Sequence, residues 1–224
     1  MENRLTFLST LAMSTTKPGI NLELTPQRLE AFSDGVFAIA ITLLIIEIKV
    51  PGHQELAHTT LAKFLLQYWP KYFAYVFSFV IIGIYWANHH FLFKLFKKTN
   101  HVFNLLNVLF LMTISFLPFP TAVLGEYILD EEQRKTAITF YSIGIALPAL
   151  SWLLMWLYGS YKKRLIDHDL SATTIRYLNR KFTLSNILYL SAIIISLFSA
   201  NIAIILNVIL TLVYLLAPKK PQYD

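Results

Sequence analysis

Apolar residues in this chain run in long unbroken blocks, not in the narrow stripes of a soluble amphipathic helix. Ala31–Ile48, Trp69–Phe93, Phe103–Gly125 and Ala137–Gly159 are four such blocks. Each approaches or exceeds the roughly 20 residues a helix needs to cross a hydrocarbon core about 30 Å thick. A fifth block, Phe182–Ala217, is too long for one crossing. Ser199-Ala200-Asn201 near its middle is the candidate turn, so two helices are predicted there and six in total. The segment His53–Gln67 is polar to amphipathic and predicted to be a surface loop. Met1–Asn21 contains the mildly apolar LTFLSTLAM, but no Ala-x-Ala cleavage site follows. It is therefore predicted as a flexible cytoplasmic tail rather than a signal peptide.

Composition agrees with that pattern. The 224 residues are 56% hydrophobic and 14% charged, against about 25% charged in an ordinary soluble domain. Too little charge is present to coat a soluble globule, which argues against a conventional cytosolic enzyme and against disorder. The predicted fold class is an all-α integral membrane protein with six transmembrane helices. The predicted organisation is a tail over 1–24, a membrane domain over 25–217 and a short tail over 218–224. The chain has no cysteine, which excludes disulfides and thiolate metal sites.

The net charge of +6 follows from topology. Of the 19 Lys and Arg residues, 14 fall in the N-terminal tail, the second and fourth interhelical segments and the C-terminus. Cytoplasmic segments are enriched in Lys and Arg, so both termini are predicted to be cytoplasmic. Asp130-Glu131-Glu132 then falls outside. With the basic charge accounted for, no nucleic-acid partner is predicted.

The same topology brings polar residues to one depth near the inner face. Arg28, Ser33 and Asp34 on the first helix, Asn88, His89 and His90 on the second, and Asn104 and Asn107 on the third share that layer. Ionisable groups in a membrane are costly and pair with one another or line water. The layer fits an interhelical hydrogen-bond network, and it also fits a proton or cation site. A metal centre is not predicted, because adjacent histidines point to different helix faces. No catalytic constellation is evident: no Ser lies in a Gly-x-Ser-x-Gly context.

On a wheel of about 100° per residue, Phe32, Gly35, Ile39, Leu43 and Ile46 share one narrow face of the first helix. Thr42 lies at its edge and Asp34 nearly opposite. Periodicity of this kind fits packing or a lipid-facing surface as well as a pore.

The run Arg28-Leu29-Glu30-Ala31-Phe32-Ser33-Asp34-Gly35 resembles the Arg-x-x-x-Phe-Ser-Asp signature of the transmembrane protein 175 potassium channels. Trp86-Ala87-Asn88-His89-His90 and Phe116-Leu117-Pro118-Phe119-Pro120-Thr121 also resemble that family, in its prokaryotic branch with one six-helix unit per chain. Helices four to six match only in number and placement. The resemblance implies a homotetramer in a bacterial inner membrane, with the first helices around the ion path. It implies hydrophobic constrictions at Ile39, Leu43 and Ile46, and a role in cation preference for Thr42. It implies a structural network of Arg28, Phe32, Ser33, Asp34, Trp86, Asn88, His89 and His90. No cofactor is implied beyond permeant potassium ions; the partners are further copies of the chain, lipid and monovalent cations.

The chain lacks the Thr-Val-Gly-Tyr-Gly carbonyl filter of common potassium channels, so selectivity of that kind is excluded, and the gate that the resemblance implies is a hydrophobic constriction. Glu47 is placed at the outer mouth, where it raises local cation concentration or pairs with Lys49. Two other functions stay open from the residues alone: a proton-coupled secondary transporter using the inner polar layer, and a membrane scaffold without transport.

Overall fold

A computed structural model of the chain describes residues 25–54, 56–57, 59–215 and 219–224. The predicted N-terminal tail lies outside the described residues. Among the described residues the fold is all-helical. Helix α1 spans Pro26–Ile46, α2 Leu61–Gln67, α3 Trp69–Phe93 and α4 His101–Phe116. Then come α5 Pro118–Tyr127, α6 Arg134–Ser160, α7 Ala172–Ser196 and α8 Ala200–Tyr214.

The differences from the predicted elements have local causes. α1 begins at Pro26 rather than Ala31. Thr25 caps it by accepting a hydrogen bond from the Arg28 amide at 3.4 Å, and Pro26 stands at the first turn, where its missing N–H costs nothing. The third block is two helices rather than one. Pro118 and Pro120 lack amide donors, so the helix breaks around Leu117, which keeps helical dihedrals. The break is a bend, and His101–Tyr127 still reads as one apolar span of 27 residues. The predicted loop His53–Gln67 contains α2, capped by Thr60. The last ten residues before the predicted fifth crossing are helix as well: α7 starts at Ala172, capped by Ser171.

Among the described residues, four helical spans are long and apolar enough to cross a membrane: Pro26–Ile46, Trp69–Phe93, His101–Tyr127 and Arg134–Lys163. α7 carries basic residues in its first half, which lowers its hydropathy. α8, with 15 residues, is about 22 Å long at 1.5 Å per residue.

α6 is the hub. It packs against α4, α5, α7 and α8, while α1 packs against α3, α4 and α5 on the other side. Hydroxyls and amides stitch the hub and the helices around it together. Ser78 and Tyr141 are 2.9 Å apart, Thr121 donates to Ser78 at 2.7 Å and Asn207 to Ser142 at 2.8 Å. Such bonds act as glue in a bilayer, where apolar burial no longer distinguishes a helix from lipid, at about 0.6 kcal/mol each. Close approach adds dispersion: Gly144 of α6 lies so near Pro120 of α5 that a Cβ there would sit 2.7 Å from the proline Cγ. An aromatic cluster fills the centre, with Phe110 5.2 Å from Trp152 and 5.9 Å from Phe37 between ring centroids.

The C-terminal residues fold back. Tyr223 forms an antiparallel bridge with Leu170, and the Gln222 amide donates to Thr174 Oγ1 at 2.9 Å. The segments following α3 and α6 are also joined, by Lys97 N–H to Leu165 O at 2.9 Å and Asp167 N–H to Leu95 O at 3.0 Å.

Candidate ion-conduction site

α1 buries one face and leaves the other bare. Leu29, Ser33, Phe37, Ala40 and Leu44 are buried against α3, α4 and α5. Their spacing of four, four, three and four residues is the period of one helix face. The opposite face carries Phe32, Gly35, Ile39, Thr42, Leu43 and Ile46, all exposed. Ile39 is 61% and Ile46 65% exposed, while Leu44 between them is 0%. Only 28% of the apolar stretch of α1 is buried in the subunit, against 56% for α6. A helix gripped by three neighbours therefore still offers a continuous apolar strip to something outside the subunit.

The strip has one polar element. The Thr42 hydroxyl donates to Ile39 O at 2.9 Å. Its single hydrogen is spent on the helix, which leaves the oxygen lone pairs facing outward.

The polar residues predicted to share one depth form three separate groups rather than one network. In the interior, Ser33 Oγ donates to Leu29 O at 2.8 Å, Asn107 Nδ2 donates to Ser33 Oγ at 3.0 Å, and His89 Nε2 meets Asn107 Oδ1 at 3.1 Å. An amide oxygen only accepts, so His89 is the Nε2–H tautomer. Its Nδ1 is buried without a partner. At the exposed edge between α1 and α3, Trp86 Nε1–H donates to Asp34 Oδ1 at 3.0 Å. At the end of α3, His90 Nδ1 pairs with Glu30.

Three members of the implied network stand apart within one subunit. The Arg28 side chain bonds to none of the others, Phe32 is 57% exposed, and the Asn88 amide donates to Ile84 O of its own helix at 2.8 Å. Helix geometry is the reason: side chains at one depth but different wheel angles face different neighbours. His89 and His90 diverge for the same cause. Glu30 had no assigned role from the sequence, and only matching its depth with His90, sixty residues away, would have found it.

At the far end, Glu47 caps α1 through its own backbone N–H to Ile45 O. It lines a cleft with Lys49, Lys71, Tyr75 and Glu126. Lys71 is paired with Glu126 at 2.7 Å, and among the described residues the Glu47 carboxylate bonds no cation.

A helical bundle with membrane-length apolar spans and an N-terminal helix uncovered along one apolar face defines a multi-pass membrane protein. A sequence profile described as "Endosomal/lysosomal potassium channel TMEM175" matches residues 28–118. A protein named as a potassium channel from Chamaesiphon minutus is 38% identical over 177 residues, covering 79% of this chain and 87% of that protein. The crystal structure of a lysosomal potassium-selective channel TMEM175 homolog from the same organism superposes with a TM-score of 0.77 at 35% identity, over 85% of this chain and 96% of that one. The endosomal/lysosomal proton channel TMEM175 of Gallus gallus is 39% identical over 131 residues, which are 53% of this chain and 26% of that protein. The chain belongs to the TMEM175 family.

Proposed function

We propose that the chain is one subunit of a potassium-preferring cation channel, in which four copies place their α1 helices around a common axis. The observation that carries this is the bare strip Ile39–Leu43–Ile46 on a helix whose other face is held by three neighbours. A lone subunit would show that strip to lipid, whereas a ring of four turns it inward. Potassium is preferred over protons as the cargo because the relative covered over most of its length is named as a potassium channel. The relative named as a proton channel is matched over about a quarter of its length.

In this arrangement the membrane domain is 25–217, with six crossings in a bacterial inner membrane and both ends of the chain inside. Four Ile39 side chains form the narrowest layer, with Leu43 and Ile46 as further collars. Aliphatic rings hold no oxygen ligands, so a narrow layer dewets and blocks ions, and a slightly wider one wets and passes them. Thr42 lies beside the Ile39 layer. Its outward lone pairs meet a cation that has shed part of its water, which favours potassium because it dehydrates more easily than sodium. Glu47 raises cation concentration at the outer end. Ser33, Asn107, His89, Asp34 and Trp86 hold α1 against α3 and α4 and carry no ion.

Purified protein in planar bilayers tests the reading. The expected result is passive single-channel current with a reversal potential shifted toward that of potassium under potassium–sodium bi-ionic conditions. Saturable flux driven by a counter-ion gradient would make the protein a transporter instead. Absence of any flux, from protein that is tetrameric by cross-linking, would overturn the proposal.

A further inference from the structure

The basic first half of α7 is the feature that ion conduction leaves unexplained. Arg176, Asn179, Arg180 and Thr183, followed by Leu184 and Ile187, line one shallow groove along a single helix face. Their spacing of three, one, three, one and three residues keeps them in one row. The groove is polar at its N-terminal end and apolar at the other, where Leu184 and Ile187 are exposed and the exposed Leu190 and Ile194 continue the same side.

The polar end is built to donate. Arg176 spends one N–H, from Nε to Ala172 O at 3.4 Å, within its own helix. Arg180 and Thr183 have no hydrogen bond or ion pair among the described residues. Asn179 has its amide orientation fixed from behind: Trp156 Nε1–H donates to Asn179 Oδ1 at 2.6 Å. Indole is only a donor, so the oxygen faces Trp156 and the NH2 group is left for a partner in the groove. α7 contains no Asp or Glu, so neither guanidinium is neutralised within the helix. Nor do these charges serve the helix dipole, which favours cations at the C-terminal end.

We propose that this groove binds one anionic phospholipid of the inner leaflet. The headgroup phosphate is held by Arg176, Arg180, the Asn179 amide and the Thr183 hydroxyl, and an acyl chain lies along Leu184 and Ile187. Two guanidiniums, an amide and a hydroxyl are donors that match phosphate oxygens. The apolar continuation selects a lipid over a free anion, and an anionic headgroup over a zwitterionic one follows from two unpaired positive charges. The proposal rests on α7 crossing the bilayer with its first turns at the inner surface. It does not depend on what the protein conducts.

The test is native mass spectrometry of the purified detergent-solubilised assembly titrated with dioleoyl phosphatidylglycerol, with dioleoyl phosphatidylcholine in parallel. Wild-type protein should prefer phosphatidylglycerol. The R176Q/R180Q variant should bind it about thirtyfold more weakly, at about fivefold per basic residue, with phosphatidylcholine binding unchanged. K94Q/K98Q, which removes the same charge from another basic segment, should leave phosphatidylglycerol binding within about twofold. I187S should weaken dioleoyl but not dihexanoyl phosphatidylglycerol. The variants replace exposed side chains, and an unchanged thermal midpoint in detergent confirms that they fold. The proposal is overturned if R176Q/R180Q loses less than about threefold, if K94Q/K98Q loses as much, or if inorganic phosphate displaces the lipid.

Discussion

Ser33 and Asn107 are 74 residues apart in the chain, yet the Asn107 amide donates to the Ser33 hydroxyl at 3.0 Å in the buried interior. The same asparagine accepts from His89, so one side chain on α4 holds both α1 and α3. Replacing it with leucine leaves the His89 Nε2–H buried without an acceptor, which costs about 1–3 kcal/mol. Asn107→Leu should therefore lower the thermal midpoint of the detergent-solubilised protein clearly. Ser33→Ala gives up two bonds, to Leu29 O and from Asn107, and leaves an Asn107 amide hydrogen buried without its acceptor, so it should also cost about 1–3 kcal/mol. Equal midpoints for Asn107→Leu and wild type would mean that the chain Ser33–Asn107–His89 holds nothing.

A second pair lies at the border between subunit and surroundings. Trp86 reaches across from α3 to Asp34 on α1, and both residues are exposed. Asp34→Ala and Trp86→Phe should each loosen α1 and reduce the fraction of tetramer seen by cross-linking. In a double-mutant cycle the two changes should couple by about 0.6 kcal/mol. Selectivity should stay as in the wild type, since the proposed arrangement puts Asp34 off the ion path. An Asp34→Ala tetramer with altered potassium-to-sodium preference would put the carboxylate in the path instead.

Ile39→Asn tests the constriction directly. A ring of amides stays wet, so conductance should rise and discrimination between potassium and sodium should fall in single-channel recordings. The exposed position of Ile39 makes the substitution harmless to the fold of one subunit, so a change in current is not secondary to misfolding. Unaltered current would remove Ile39 from the gate.

Much of this arrangement could be seen in the sequence, and the missing parts share a cause. Hydropathy located Trp69–Phe93 closely because that helix starts and ends where its apolar run does. It missed the true starts of α1 and α7, because both helices extend past their apolar cores into polar turns. There the cap residues Thr25 and Ser171 decide the start, not hydrophobicity. The bare strip of α1 matches the wheel face drawn from the sequence. Depth alone placed eight polar residues in one layer. It could not say that Ser33 faces α4, Asp34 faces Trp86 and Asn88 turns back on Ile84, since those directions depend on how the helices are rotated against one another. Glu30 and His90 meet across sixty residues, and no local pattern signals it.

Gly144 offers a packing prediction. Gly144→Ala would push a methyl group against the Pro120 ring, and proline at the bend between α4 and α5 has no softer rotamer to adopt. Overpacking of this kind costs about 1–3 kcal/mol. Thermal unfolding of Gly144→Ala in detergent should show the loss, while Gly83→Ala, whose added Cβ meets nothing within 4 Å, should not.

The joined segments after α3 and α6 give a pH dependence. Asp167 is held below the usual carboxylate range, first by the backbone N–H of Asp169 and then by Lys97, its ion-pair partner at 3.0 Å. Lys97 is correspondingly raised, chiefly by its hydrogen bond to Asp167. A depressed carboxylate contributes its stabilisation above the unfolded-state value near 4 and loses it as pH falls through the lower folded value. A raised ammonium contributes below about 10.4 and loses its share as pH rises through the higher folded value. The tie between the segments after α3 and α6 should thus be intact across neutral pH and release only in strong acid or strong base. The pair is on the surface, so global stability should barely move. The local effect is the one to measure. Asp167→Asn should speed hydrogen exchange at the Lys97 and Asp167 amides, which bond across to Leu165 and Leu95, while exchange in α6 stays as it is. Unchanged exchange at both amides would show that the backbone bonds hold the two segments together without the ion pair.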